Sequence, residues 1–412
     1  MVYEKRYENG LRVVVKQMQG LMSVTMGVLV GTGACVETDK EDGISHFIEH
    51  MQFKGTKKRN AFELSDAFDC LGAQINAFTG KDLTCYYSKC TTDHVPACFE
   101  LLADLFLNST FPEDEMDREK GVVCEEISMN EDTPEDLCLD LLARAFYGKE
   151  NYGRNILGTA KNVRSFSVAD IYAYKRARYC PENTVISFAG GIDFQTAIAL
   201  VETYFGAFET GAFEKREIKL LTQRNSLFKT KPIEQAHIAI GYPALPRGDE
   251  LEDAFSAVNG VLGGTMSARL FQEVREKRGL AYSVYSYVSP YENCGTQVIY
   301  AGVNPTQIEQ AYEAIGAVVE DIKKNGVTKD EFMRSREQMK SGMFFSNESS
   351  NAQMLLYGKY MLYFNQTFDF EKKLEKINAL TYEKSFEAIE KMFDERQKAI
   401  ALVGNVDKGF AL

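Results

Sequence analysis

Phe111-Pro-Glu-Asp-Glu-Met116 and Val327-Thr-Lys-Asp-Glu-Phe332 open two helical stretches whose acidic and apolar positions match at a separation of 216 residues. Acidic residues in a first helical turn complement the helix dipole, so both segments read as helix starts. Upstream of each, the chain follows one plan: a helix, a glycine break, a second helix, a Gly/Leu turn and an alternating strand. In the first copy these are the helix through His50, Gly55, Ala61–Cys70, Leu71-Gly72 and Gln74–Cys90. In the second they are Leu251–Leu262, Gly263-Gly264, Ser267–Lys277, Gly279-Leu280 and Ala281–Pro290. Internal similarity of this kind marks a duplicated structural unit.

A charged, turn-containing stretch from about Gly206 to Lys231 separates the copies. It sets the expected boundaries: an N-terminal domain over 1–212, a linker over 213–230 and a C-terminal domain over 231–412. Strands and helices within each half do not alternate one for one, which predicts an α+β fold. Two similar domains are expected, each a mostly antiparallel sheet packed against helices.

At 412 residues, 45% hydrophobic and 26% charged, the chain has the composition of a globular protein of two or three domains. No run approaches the ~20 apolar residues of a membrane span. Met1 to Gly10 is polar and charged, without the basic-then-apolar run of a secretory signal. The expectation is a cytoplasmic protein with no membrane association. The nine cysteines are scattered and include no C-x-x-C pair, which argues against a disulfide framework and against a cysteine metal site. A formal net charge of −12 argues against nucleic acid as a partner.

The chemistry is concentrated in His46-Phe47-Ile48-Glu49-His50. On a helix, positions four apart lie about 40° from one another around the axis, so both imidazoles face one divalent ion. Glu49 shares that face, placed to take a proton from water activated by the metal. With only four histidines in the chain, the pattern arises by accident in roughly a few per thousand chains of this length. Asp42 or Ser45 is the expected cap of this helix.

A catalytic zinc keeps three protein ligands and one open position. The third is sought in the segment from Glu119 to Glu126, where these two carboxylates lie two helical turns apart on one face. An acidic helix face is commonly no more than a solvated side. The duplication argues for more here. The 216-residue offset sets Ser335 opposite Glu119 and Gly342 opposite Glu126, while Asp330 and Phe332 keep the framework. The second-copy helix over Ala254–Leu262 contains no histidine. One half carries metal ligands and the other does not.

Further segments extend the pattern: Gly31-Thr-Gly33, Gly43-Ile-Ser-His-Phe-Ile-Glu-His-Met51, Phe53-Lys-Gly-Thr56, Asn76-Ala-Phe-Thr79, Glu125-Glu-Ile-Ser-Met-Asn-Glu-Asp-Thr-Pro134 and the run from Arg269 to Tyr282. With these, nearly the whole chain resembles the pitrilysin and insulinase-like family of inverted-zincin metallopeptidases. It is most similar to the subgroup of roughly 400-residue subunits that includes mitochondrial processing peptidase and its bacterial homologues.

The resemblance implies roles. The third zinc ligand would be the glutamate about 76 residues past the second histidine, which is Glu126, and Glu119 would support the site from behind. Arg275 and Tyr282, seven apart, would contact the substrate backbone. The edge strand around Asn76 and Ala77 would pair with an extended peptide. Phe53 would line an apolar pocket beyond the scissile bond. Gln52 stands where the family has an apolar residue, which bears on side-chain preference.

A zinc endopeptidase with one ion per chain is therefore expected, with Glu49 as general base and unfolded oligopeptides or peptide leaders as substrates. Groups from both halves would act together, so a clamshell that closes about the linker is expected, with a homodimer as its assembly. Zinc over other ions rests on ligand type and the resemblance. Two alternatives stand beside this reading: a non-catalytic partner-binding subunit of the same fold, and a maturation peptidase dedicated to one gene-encoded peptide. The intact metal motif speaks against the first.

Overall fold

The computed structural model describes residues 1–209, 213, 215–218 and 225–405. They form two compact units. Unit 1 takes in Met1–Ile127, Asn155–Ile218 and Phe344–Asp369; unit 2 takes in the described residues of Ser128–Arg154, Lys219–Met343 and Phe370–Leu412.

The sheet of unit 1 comprises β1 (Val2–Arg6), β2 (Arg12–Gln17), β3 (Ser23–Val30), β4 (Gln74–Thr79), β5 (Thr84–Thr91) and β6 (Thr184–Gly190) in the order β1-β2-β6-β3-β5-β4. Only β2 and β6 run parallel. The sheet of unit 2 comprises β7 (Ser226–Thr230), β8 (Ala236–Ala244), β9 (Ala281–Pro290), β10 (Gly295–Val303) and β11 (Ala399–Gly404) in the order β7-β11-β8-β10-β9. Again one pair is parallel, β7 with β11. Strand for strand, β2-β6-β3-β5-β4 and β7-β11-β8-β10-β9 are one topology. The duplication read from two helix starts thus extends to the sheets.

The helices of the first half of the chain are α1 (Ile44–Gln52), α2 (Ala61–Cys70), α3 (Val95–Asn108), α4 (Glu113–Asp132), α5 (Pro134–Tyr147), α6 (Ala160–Ser165), α7 (Val168–Arg178) and α8 (Phe194–Phe205). Those of the second are α9 (Glu252–Gly263), α10 (Ile308–Asn325), α11 (Lys329–Asn347), α12 (Ser350–Phe364), α13 (Phe370–Asn378) and α14 (Glu383–Lys391). The matched segments begin α4 and α11. No helix among the described residues is long and apolar enough to cross a membrane.

Strand parity builds two cores on the sheet of unit 1. Val13 and Val15 of β2, Val24, Met26, Val28 and Val30 of β3, and Ile186 and Phe188 of β6 join the helices of the first half in one core. Val14, Leu29, Val185 and Ala189 point the other way, into a second core with Met354, Tyr357 and Met361 of α12. That helix lies close: a Cβ on Gly27 would meet the Met354 sulfur at 2.4 Å, so β3 carries glycine at that point. Unit 2 repeats the device, with Gly241 of β8 beneath Leu142 and Phe146 of α5.

The compact units therefore differ from the linear domains expected at 1–212 and 231–412. α5, from the first half, packs on β8 and β11, while α12, from the second half, packs on β2, β3 and β6. Each sheet is apolar on both faces, and in each the second face is covered by a helix from the other half of the chain. Of the linker expected at 213–230, residues 214 and 219–224 lie outside the described residues, as do the adjoining 210–212; Ser226–Thr230 is β7.

Two element expectations also change. Gln74–Cys90 is not one strand but a hairpin, β4 and β5, closed where the Gly80 N–H donates to the Leu83 carbonyl at 2.8 Å. Ser267–Lys277 is not a regular α-helix: it winds as a π-helix over Phe271–Glu276, a form that concentrates at functional sites. Seven of the nine cysteines are buried, as small apolar residues commonly are.

Candidate metal centre

α1 is amphipathic in an unusual sense: both of its stripes are used. Ile44, Phe47, Ile48 and Met51, at the i, i+3, i+4, i+7 spacing, are buried in the core of unit 1. His46, Glu49 and His50 occupy another face. The helix begins at Gly43, whose φ of +94° suits glycine, and a Cβ there would lie 2.7 Å from the Leu157 carbonyl oxygen. Neither Asp42 nor Ser45 caps it. The buried Glu37 carboxylate does so from outside, accepting the Gly43 N–H at 2.7 Å and the Ser45 N–H at 2.8 Å. Burial pushes the Glu37 carboxyl up to about 7, although the two donors pull the other way. Ser45 is tied in turn to the Tyr174 hydroxyl at 2.8 Å, which also meets Thr32 Oγ1 at 2.8 Å.

α4 brings up the carboxylates. Glu126 Oε2 lies 3.6 Å from His46 Nε2 and 3.3 Å from His50 Nε2. Metal bonds of ~2.1 Å in a tetrahedral site place ligand atoms roughly 3.4 Å apart, so these separations fit one ion. One ligand atom from each of His46, His50 and Glu126 lies within 4.8 Å of the others, the one such group among the described residues. Glu125 is exposed, whereas Glu126 turns to the imidazoles. Two imidazole nitrogens and one carboxylate suit zinc, and three protein ligands leave the fourth position of a tetrahedral site to water or substrate.

Glu119 is 4% exposed and meets His50 Nδ1 at 2.8 Å through one oxygen; its other oxygen lies 2.5 Å from Lys54 Nζ. Burial lowers the pKa of His50, but the Glu119 and Glu126 carboxylates outweigh it and lift it to about 9. Burial and the neighbouring His50 push His46 down to about 4. The cluster thus calls for a cation among its carboxylates, a proton on His50 or a divalent metal.

Glu49 accepts a hydrogen bond from the Thr79 hydroxyl at 2.5 Å. Burial raises its pKa, and Thr79 works against that shift. Thr79 ends β4, the edge strand that packs beside α1 and carries Asn76 and Ala77. The Asn76 side chain accepts the Ala77 N–H at 2.8 Å. Phe53, the last residue of the α1 turn, packs at the margin of the unit 1 core. Gln52 is fully buried and faces inward, away from any role in side-chain preference. Its Oε1 accepts from Lys175 Nζ at 3.1 Å, and the ammonium also donates to the Phe106 carbonyl at 3.0 Å. Rings of Phe106, Phe111 and Tyr179 surround that ammonium, and burial pushes its pKa down to about 7.

In unit 2, the π-helical turn sets the Arg275 guanidinium 4.7 Å from the Phe271 ring and 4.8 Å from the Tyr282 ring. Glu276 approaches Arg275 only to 3.7 Å, beyond hydrogen-bond range. Tyr282 is 77% exposed, so it is not a core residue of β9. In the second copy Gly342, opposite Glu126, is exposed and offers no ligand atom, while Ser335, opposite Glu119, is buried. Ser335 donates to the Ala257 carbonyl at 2.7 Å, and Asn259 pairs with Gln297 and Ser286. Of the site residues, His46, Glu49, His50, Glu119 and Glu126 come together in unit 1. Glu37, Thr79 and Tyr174 were not legible as members. Only Thr79 left a trace, inside the Asn76–Thr79 segment.

Comparison with known proteins bears on this site. Residues 12–160 match the family model described as Insulinase (Peptidase family M16), and residues 165–339 match the model described as Peptidase M16 inactive domain. The chain is 41% identical to the uncharacterized zinc protease YmxG of Bacillus subtilis, over 97% of this chain and 98% of that one. It is 35% identical to an uncharacterized zinc protease of Streptomyces coelicolor, over 90% of this chain and 83% of the relative. Among solved structures, a protease from Helicobacter pylori superposes with a TM-score of 0.89 at 22% identity, over 98% of this chain and 99% of that one. A peptidase M16 inactive domain from Pseudomonas fluorescens does so with a TM-score of 0.92 at 21% identity, over 100% of both. These two structures speak to the fold.

Proposed function

The chain belongs to the insulinase family, peptidase family M16, and from that premise we propose that it is a zinc-dependent endopeptidase acting on extended, unfolded peptides. The observation that carries this is the convergence of His46, His50 and Glu126 with Glu49 and its Thr79 partner alongside.

When bound, zinc supplies Lewis acidity that polarises the scissile carbonyl and makes water a better nucleophile. The residues of the chain do the rest. Glu49 takes a proton from the attacking water as its oxygen bonds to the carbonyl carbon, and gives it to the amine nitrogen as the C–N bond breaks. Thr79 holds that carboxylate in place, and burial raises its affinity for the proton. The β4 edge around Asn76 and Ala77 receives the substrate as an added strand, with Phe53 beside an apolar side chain of the peptide. Arg275, held between two rings, and Tyr282, with its hydroxyl end exposed, bind the peptide backbone and the developing oxyanion. Because the metal ligands and the Arg/Tyr pair occur in one chain, the assembly is a homodimer, which light scattering on the purified protein tests.

Glu49→Gln is expected to lower kcat on a quenched peptide by about 10²–10⁴-fold while zinc content stays at one ion per chain. Undiminished hydrolysis by that variant would sink the assignment of the base. Glu126→Gln is expected to lose zinc, and a full complement of metal in it would move the third ligand elsewhere.

A further inference from the structure

His46, His50 and Lys54 stand four residues apart in succession, so Lys54 continues the metal-binding stripe for one more turn. The register survives to that point because the Phe53 N–H donates to the His50 carbonyl and the Lys54 N–H to the Met51 carbonyl, each at 3.2 Å. Gly55, at a φ of +121°, then turns the chain away. Lys54 is the last side chain the helical register can deliver to this face.

Glu119 is divided between the last two members of this stripe. One oxygen lies 2.8 Å from His50 Nδ1 and the other 2.5 Å from Lys54 Nζ. An exposed Lys–Glu pair is worth little. This one is different, because the Glu119 side chain is only 5% exposed and water is not at hand to replace a lost partner.

We propose that Lys54 is a positioning residue for the metal centre: by holding the outer oxygen of Glu119, it keeps the inner oxygen on His50 Nδ1 and so presents His50 Nε2 to the metal. The imidazole donates Nδ1–H to the carboxylate, which leaves Nε2 as the unprotonated ligand atom. Removing the ammonium leaves a buried carboxylate with one unmet oxygen, free to turn from the ring it orients. This deepens the peptidase reading and rests on it.

The test is the zinc dissociation constant of the full chain, measured by competition with a chromophoric chelator. Lys54→Met is expected to weaken zinc binding about tenfold or more, and Lys54→Arg, which restores a cation, to recover most of the loss. In the metal-free protein, ¹H NMR is expected to show the His50 Nδ1–H proton downfield and slow to exchange in the wild type, where it is bonded to Glu119, and broadened by exchange in Lys54→Met. Wild-type zinc affinity in Lys54→Met overturns the proposal. So does an unaltered His50 Nδ1–H resonance together with a fall in thermal stability of the metal-free variant, which would make Lys54 merely structural. Should Lys54→Met fail to fold, Lys54→Leu, which also has no donor, takes its place, and either of those two results in it overturns the proposal equally. His50→Ala and Glu126→Gln serve as controls: if they retain zinc, the metal-site reading itself falls, whatever Lys54 does.

Discussion

Glu37 works on α1 from a distance, with its carboxylate across two N–H groups that the helix start leaves unpaired. Its folded pKa of about 7 stands above the 4.5 of an ordinary glutamate, so the folded chain holds a proton there that the unfolded chain releases. Stability from this residue is therefore greatest at low pH and declines as pH rises between those two values, by up to about 1.4 kcal/mol per pH unit. Glu37→Gln is expected to flatten that decline in chemical denaturation of the metal-free protein between pH 5 and 8; parallel pH curves for variant and wild type would contradict it. At this scale the spacing of His46, Glu49 and His50, and of Glu119 and Glu126, was legible because each set lies on one helix. Glu37 and Thr79 were not, since each meets α1 only through the fold. Gln52 could be seen to depart from a pattern, but not which way it faced.

α1 places three functional side chains only if it starts at the right residue and angle. Gly43 sets both, in a conformation and a space that exclude a Cβ. Gly43→Ala is expected to cost about 1–3 kcal/mol, visible as a lower melting temperature of the metal-free protein; an unchanged melting temperature would show that the turn relaxes freely. The second-half counterpart of α2 shows what element-level reading misses. Its apolar period predicts a helix over Ser267–Lys277, and the π-helical winding of Phe271–Glu276 appears only with the side chains packed around it. The one-strand reading of Gln74–Cys90 passed over a turn signal: Gly80-Lys-Asp-Leu83 interrupts the β-branched and aromatic residues on either side, and the pairing of β4 with β5 shows that the chain reverses there.

Across the whole molecule, each sheet is completed by a helix from the other half of the chain. A fragment of residues 1–212 would lack α12 and leave Val14, Leu29, Val185 and Ala189 bare on one face of its sheet. Such a face is an aggregation site. The fragment is expected to aggregate or to lack cooperative unfolding, as judged by gel filtration and near-ultraviolet circular dichroism. Supplying residues 344–369 as an appended helix should improve it. A monomeric, cooperatively folded 1–212 fragment would show that α12 is dispensable. The sequence by itself determined the duplication, the α+β character, the metal-binding face of α1 and the carboxylate face of α4. The helix faces are periodic and written within a few residues, and the duplication is a local pattern that occurs twice. Only the tertiary structure decided which helix covers which sheet face, which carboxylate caps α1, and that Glu119 spans His50 and Lys54. Periodicity shows that a face must be buried or paired; it does not name the distant residue that will do it.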